Sequence, residues 1–148
     1  MARFPFGIPN SWYVVAYSDE LSAGEVKRLQ VLDRDLVMFR GEGGEAAVLD
    51  GFCPHLGAHL GVGGTVVGDT LQCPFHGWRW KMDGECEEIP YSKRIPPNVR
   101  AARYPVVERN GMVFVWFHSE GEAPSFEIPF VEGWGAKDWL GSWLKWEW

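Results

Sequence analysis

Residues 53–60 read Cys53-Pro-His-Leu-Gly-Ala-His-Leu60 and residues 73–80 read Cys73-Pro-Phe-His-Gly-Trp-Arg-Trp80. Each stretch opens on Cys-Pro and places a histidine soon after, giving the pairs Cys53/His55 and Cys73/His76 with residues 56–72 between them. Thiolates and imidazoles are strong protein donors to transition metals, and two short loops that each supply one of each make a ligand set for a single metal centre. Pro54 and Pro74 fix φ, while Gly57 and Gly77 permit tight backbone approach, so that amide groups can point at the centre. Such a centre staples two hairpin tips together, and a β-rich chain is the fold that presents two tips side by side.

The donor types suggest which centre this is. Two thiolates and two imidazoles can hold a [2Fe–2S] cluster with Cys53 and Cys73 on one iron and His55 and His76 on the other. The cysteine-bound iron then stays ferric, and the less negative, histidine-bound iron is the reducible one. A structural Cys2His2 zinc site could use the same four donors, although such sites usually begin with two cysteines two to four residues apart.

Both stretches resemble the Rieske domain of the aromatic-ring and steroid oxygenases. Ile89-Pro90-Tyr91 followed by Lys93-Arg94-Ile95-Pro96-Pro97 is similar to the segment after the cluster in ketosteroid hydroxylases and cholesterol desaturases of that family, and Trp12-Tyr13-Val14-Val15 resembles its opening strand. The resemblance covers roughly residues 10–120. It implies an all-β Rieske fold: antiparallel sheets in a small barrel-like body, with a cluster-binding subdomain of about residues 51–85 inserted between body strands. An N-terminal arm (1–9) and a Trp-rich C-terminal extension (121–148) flank it. The respiratory type of Rieske protein carries an extra cysteine in each loop, forming a disulfide; the matching positions here are Ala58 and Phe75. Its serine and tyrosine donors are replaced by Trp78 and Trp80. Both differences imply a potential toward the negative end of the roughly −150 to +300 mV Rieske range.

Composition agrees with one ordered domain. The chain has 148 residues, 46% of them hydrophobic, enough to bury a real core. A formal charge of −6 disfavours non-specific nucleic-acid binding. The N-terminus lacks the apolar run of a signal peptide, no stretch could span a membrane as a helix, and the three cysteines leave Cys86 unpaired, so a cytoplasmic, reducing setting is expected.

Eighteen glycines and ten prolines, with no amphipathic helical stretch of normal length, read as short strands and turns. Strands are predicted at Ser11–Tyr17, Arg28–Asp33, Asp35–Arg40 and Glu45–Asp50 as a meander with a corner at Asp33-Arg34-Asp35. Others are predicted at Leu71–Cys73, Gly77–Met82, Arg103–Glu108 and Met112–Phe117. Asn110-Gly111 is the clearest hairpin turn, and Ser18–Leu21 suggests a serine-capped helical turn.

The remaining features are read conservatively. His59 has no iron position left to fill, His118 is taken as solvated, and Cys86 as a small packed side chain. Trp78 and Trp80 are expected to shield the centre. Lys93, Arg94, Arg100 and Arg103 form either an ordinary solvated face or a docking face for an acidic electron donor. Five of the nine tryptophans fall within residues 133–148 and are expected to pack back on the body or meet another subunit.

Oxygenases of this kind activate dioxygen at a separate mononuclear iron held by two histidines and a carboxylate. Nothing in this sequence resembles that downstream Asp-x2-His-x4-His stretch. The resemblance therefore implies one-electron transfer, with a ferredoxin or flavin reductase as donor and a mononuclear-iron oxygenase domain as acceptor. The chain reads as the Rieske component or N-terminal part of an oxygenase, or as a stand-alone carrier. A metal-stapled binding module is the alternative of another class. A homo-oligomer is compatible with each.

Overall fold

The computed structural model describes residues 7–137. Three antiparallel sheets build it. The first contains β1 (Ser11–Tyr17), β10 (Val106–Arg109) and β11 (Met112–Phe117) in the order β1-β11-β10. The second contains β2 (Val26–Val31), β3 (Arg34–Arg40), β4 (Ala46–Asp50) and β9 (Arg103–Tyr104) in the order β2-β3-β4-β9. The third is a meander of β5 (Thr65–Val67), β6 (Thr70–Gln72), β7 (Arg79–Lys81) and β8 (Cys86–Glu88), inserted between β4 and β9. The all-β expectation holds, with strands from both ends of the chain forming the body and the inserted sheet carrying the two Cys-Pro loops.

The middle sheet is buried on both faces, which explains the unbroken apolar run Leu36-Val-Met-Phe39 where a half-exposed strand would alternate. Leu36, Met38 and Val48 turn toward β11, packing with Val113 and Val115. Val37, Phe39, Ala47 and Leu49 turn the other way, onto Leu60, Leu71 and Trp80 of the inserted part. One sheet thus serves two cores.

Four local expectations are corrected. β1 leaves the meander to pair with β11, from Ser11↔Phe117 to Tyr17↔Met112. The corner between β2 and β3 lies at Leu32-Asp33, whose φ angles of 57° and 52° are those of a two-residue type I′ turn, because Arg34 pairs with Val31 and belongs to the strand. The strand expected over 103–108 is broken at Pro105. That residue has no N–H to give; its carbonyl accepts from Trp116 N–H at 2.9 Å, and the chain changes sheets there. The short turn Ser18–Glu20 is 3₁₀ and is closed by the Glu20 carboxylate accepting from the Tyr17 amide at 3.1 Å, not by a serine cap. Asn110 and Gly111 form the β10–β11 turn as expected, with φ of 54° and 73°.

From β11 to residue 137 the chain runs without strands against the first sheet. Trp12 and Trp116 donate their indole N–H groups to the Phe126 and Glu122 carbonyls at 2.8 and 2.9 Å. The Asn110 side chain binds Pro129 O and Val131 N–H, both at 2.9 Å. Trp134 lies against Gly111, so this first part of the extension does pack back. Trp139, Trp143, Trp146 and Trp148 lie outside the described residues. Among the described residues no helix is long and apolar enough to cross a membrane.

Candidate metal centre

The two Cys-Pro loops share one backbone design. The Cys53 amide donates to Ala58 O at 2.9 Å, and the Cys73 amide to Trp78 O at 2.8 Å. The Gly57 amide returns to Cys53 O at 2.9 Å, and the Gly77 amide to Cys73 O at 3.1 Å. Both glycines sit at φ +74°, a conformation that L side chains rarely adopt. Their amides close the turns, so the glycines shape the tips and any backbone donors to a bound centre are the amides of other residues.

Closure brings the four sequence-predicted donors together as two pairs, and among the described residues no three histidine, cysteine or carboxylate side chains converge as on one metal ion. The His55 and His76 rings lie 4.7 Å apart between centroids at an interplanar angle of 73°. Cys53 and Cys73 lie deeper, only 3% and 2% exposed, and their thiols are near enough to interact. The result is a thiol pair inside and an imidazole pair nearer the surface. Burial, first, pushes the Cys53 thiol up to about 11; the neighbouring Cys73 adds to the rise, while the His55 amide and the Trp80 indole oppose it. Binding of a metal at such a thiol would release its proton. None of the three cysteines is in a disulfide.

The surroundings fit an iron–sulfur group. Trp80 is fully buried, and its indole N–H is directed to the Cys53 sulfur and finds no other hydrogen-bond partner in the protein. A lone buried donor next to the thiol end suits a sulfur acceptor. Trp80 is therefore more than an apolar shield: it carries a buried N–H at the position where the respiratory type has a hydroxyl donor. Trp78, 7% exposed, stacks on His55 with centroids 4.4 Å apart and planes 11° apart. Its indole N–H donates to the Tyr91 hydroxyl at 2.6 Å. Tyr91 escaped the sequence reading, because nothing in the spacing of Ile89-Pro90-Tyr91 shows which side chain turns back toward the loops.

The other candidates separate clearly. His59 is engaged elsewhere: its Nδ1 accepts from Gly61 N–H at 3.0 Å, and its Nε2 sits 3.5 Å from Asp35 on β3. It fastens the first loop to the body. Asp35 itself is held below the usual carboxylate range, chiefly by its hydrogen bond from Arg28. His118 is not simply solvated: its ring stacks on Trp116, and its Nε2 is 3.5 Å from Glu122. Cys86 is buried opposite Trp80 on β8, and burial raises its thiol as well. Arg100 pairs with Glu85 and so leaves the basic face, whereas among the described residues no carboxylate pairs with the exposed Lys93 or Arg94.

Comparison with known proteins agrees with this geometry. The model of the Rieske [2Fe–2S] domain matches residues 11–120. Cholesterol 7-desaturase nvd 1 of Ciona intestinalis is 46% identical over 123 residues, which are 83% of this chain and 26% of the desaturase. The oxygenase component of 3-ketosteroid-9-alpha-monooxygenase from Rhodococcus rhodochrous is 37% identical over 144 residues, 97% of this chain and 37% of its own. Among solved structures, apo dicamba monooxygenase matches with a TM-score of 0.71 at 34% identity, over 81% of this chain and 37% of that one. NdmA of Pseudomonas putida CBB5 matches with a TM-score of 0.73 at 29% identity, over 87% and 39%. The chain thus spans only about a quarter to two-fifths of the length of these relatives.

Proposed function

The chain belongs to the Rieske [2Fe–2S] domain family, and from that membership we propose that it transfers single electrons within an oxygenase system, with Cys53, Cys73, His55 and His76 as the ligands. The observation that carries this reading is the pair of matched tips that sets two buried thiols behind two half-buried imidazoles. When bound, a [2Fe–2S] cluster supplies a one-electron couple at the histidine-bound iron. The chain's own residues do the rest. Cys53 and Cys73 hold the sulfur end in a dry pocket walled by Trp80 and Leu60. His55 and His76 reach toward the surface, so an imidazole edge is the shortest path out for the electron. Trp78 and Trp80 exclude water and keep the local dielectric low.

On this reading residues 10–120 are the electron-transfer domain, residues 51–85 or so its cluster-binding part, and residues 1–9 and 121–148 its flanks. The donor is a ferredoxin or flavin reductase and the acceptor a mononuclear-iron oxygenase domain; similarity to desaturase and ketosteroid relatives favours a steroid-type substrate for the complete system. The cytoplasm suits three reduced thiols. Leu56 and Phe75, 65% and 64% exposed, surround the histidines with apolar surface, and Lys93 and Arg94 stand on the neighbouring loop. That surface suits an acidic donor.

The test is direct. Purified protein should be red-brown, with two irons per chain and a rhombic reduced electron-paramagnetic signal; a colourless protein with stoichiometric zinc overturns the redox reading. Charge reversal at Lys93 and Arg94 should slow reduction by an acidic ferredoxin at low salt and lose that effect at high salt. An unchanged rate at low salt removes these residues from the docking face.

A further inference from the structure

The two tips match in backbone, but their imidazoles are not treated alike. The residue five after each cysteine is Ala58 in the first loop and Trp78 in the second. Trp78 therefore reaches across to cover His55, while Ala58 offers His76 no ring in return. The aromatic neighbour of His76 is Phe75, 3.9 Å away at a 37° tilt and itself 64% exposed. His55 is thus covered by a buried indole lying almost flat on it.

What keeps the indole flat comes from outside the loops. The Trp78 N–H ends on the hydroxyl of Tyr91, which stands on the loop after β8. That loop is fixed in two ways: Ser92 N–H donates to Ile89 O at 3.0 Å, and Pro90 lies so close to Gly77 that a Cβ there would meet its Cγ at 3.0 Å. Tyr91 is 62% exposed, far more than a ring retained for core packing, yet its hydroxyl makes a short hydrogen bond to the residue stacked on a ligand.

We propose that Tyr91 is a positioning residue for the centre, holding Trp78 against His55 so that this imidazole stays insulated from water. The inference rests on the [2Fe–2S] reading above. Its electrostatic sign follows from charge counting: two ferric ions, two sulfides, two thiolates and two neutral imidazoles sum to zero, and one added electron makes the centre −1. Water near the centre stabilises the charged, reduced form. Loosening the indole over His55 should therefore raise the midpoint potential.

The experiment compares Tyr91→Phe, Trp78→Phe and the double variant, each purified red-brown with its cluster. Tyr91→Phe keeps the exposed ring and removes only the hydroxyl, so folding is not at issue. The expected result is an upward shift of the midpoint in Tyr91→Phe and no further shift when it is added to Trp78→Phe, whose ring has no N–H to hold. Pulsed electron-paramagnetic spectroscopy of the reduced protein should show one of its two histidine nitrogen couplings altered and the other unmoved. An unshifted midpoint in Tyr91→Phe, an equal shift in the Trp78→Phe background, or both couplings moving together would overturn the role of Tyr91 while leaving the cluster reading intact. Absence of the rhombic signal in the parent protein would end the cluster reading itself, and this inference with it.

Discussion

Replacing Arg40 by methionine should destabilise the protein by about 3 kcal/mol, without touching the centre. Arg40 ends β3, is only 8% exposed, and uses every guanidinium N–H. Nε donates to Leu21 O at 2.7 Å; Nη1 donates to Gly44 O at 2.7 Å and Glu108 Oε2 at 2.8 Å; Nη2 donates to Ser18 O at 3.0 Å and Glu108 Oε1 at 2.9 Å. The fork therefore ties the middle sheet to β10 and to the turn that follows β1. Breaking a buried pair costs about 3–5 kcal/mol. The lower end applies because the Glu108 side chain keeps 33% of its surface in water, where it can be resolvated. In a domain of this size that is a fall of about 10 °C in Tm. Urea denaturation of the cluster-loaded protein, with m unchanged, measures it. Acid supplies a second readout. The Arg40 fork, first, holds Glu108 below its ordinary value of 4.5. A depressed carboxylate contributes stability that is full above the unfolded value and is lost as pH falls through the folded one. Parent and variant should therefore differ most near neutrality, and the gap should narrow as pH falls below 4.5, leaving the part owed to the three backbone carbonyls. A loss under about 1 kcal/mol at pH 7, or a gap that widens in acid, would refute the assignment.

Further expectations concern the tips. Gly57→Ala and Gly77→Ala both force a side chain to φ +74°, at about 1–2 kcal/mol, but only Gly77→Ala also drives a Cβ onto Pro90, so its stability loss and its loss of iron per chain should be the larger. His76→Cys, if iron is retained, should lower the midpoint by about 200 mV or more, because a thiolate adds negative charge where a neutral imidazole stood; voltammetry decides. Removing the metal should release residues 53–58 and 73–78 to rapid amide exchange while β6 and β7 remain protected, and uniform exchange across residues 51–88 would count against this division.

The four candidate ligands were legible because metal chemistry restricts donor type and spacing at once, so that Cys53-x-His55 and Cys73-x2-His76 carry their meaning without tertiary context. β1, β11 and the Asn110-Gly111 turn were legible for a similar reason: hairpin twist demands positive φ, and few dipeptides supply it readily. Leu32-Asp33 adopts the same turn with a poor dipeptide, imposed by the register of β2 on β3 and hence invisible locally. β5 and β8 are three residues each, too short for any periodicity to register. Trp80 and Tyr91 were missed in their actual roles because a hydrogen bond is a matter of direction in space. A sequence shows that an indole or a phenol is present, and only the fold shows where its polar end points.

The middle sheet explains why the centre stands where it does. Metal loops held by ligands alone would form a loose appendage, which is how the sequence of residues 51–85 reads, since its short strands offer little apolar surface of their own. β3 and β4 change that by turning alternate side chains to opposite cores. Val37, Phe39, Ala47 and Leu49 hold the inserted sheet through Leu60, Leu71 and Trp80, all but Ala47 essentially inaccessible to water. Trp80 belongs to this core by its ring and turns its N–H to Cys53, and the candidate ligands Cys53 and Cys73 lie in the same core. The sulfur end is therefore fixed by the same packing that folds the domain, whereas the imidazole end rests on the tips and on the contact from Tyr91 through Trp78. Under the proposed electron-transfer role, which keeps the thiolates dry while an imidazole meets a partner, that unequal support is what the site needs, with rigidity behind and adjustable contact in front.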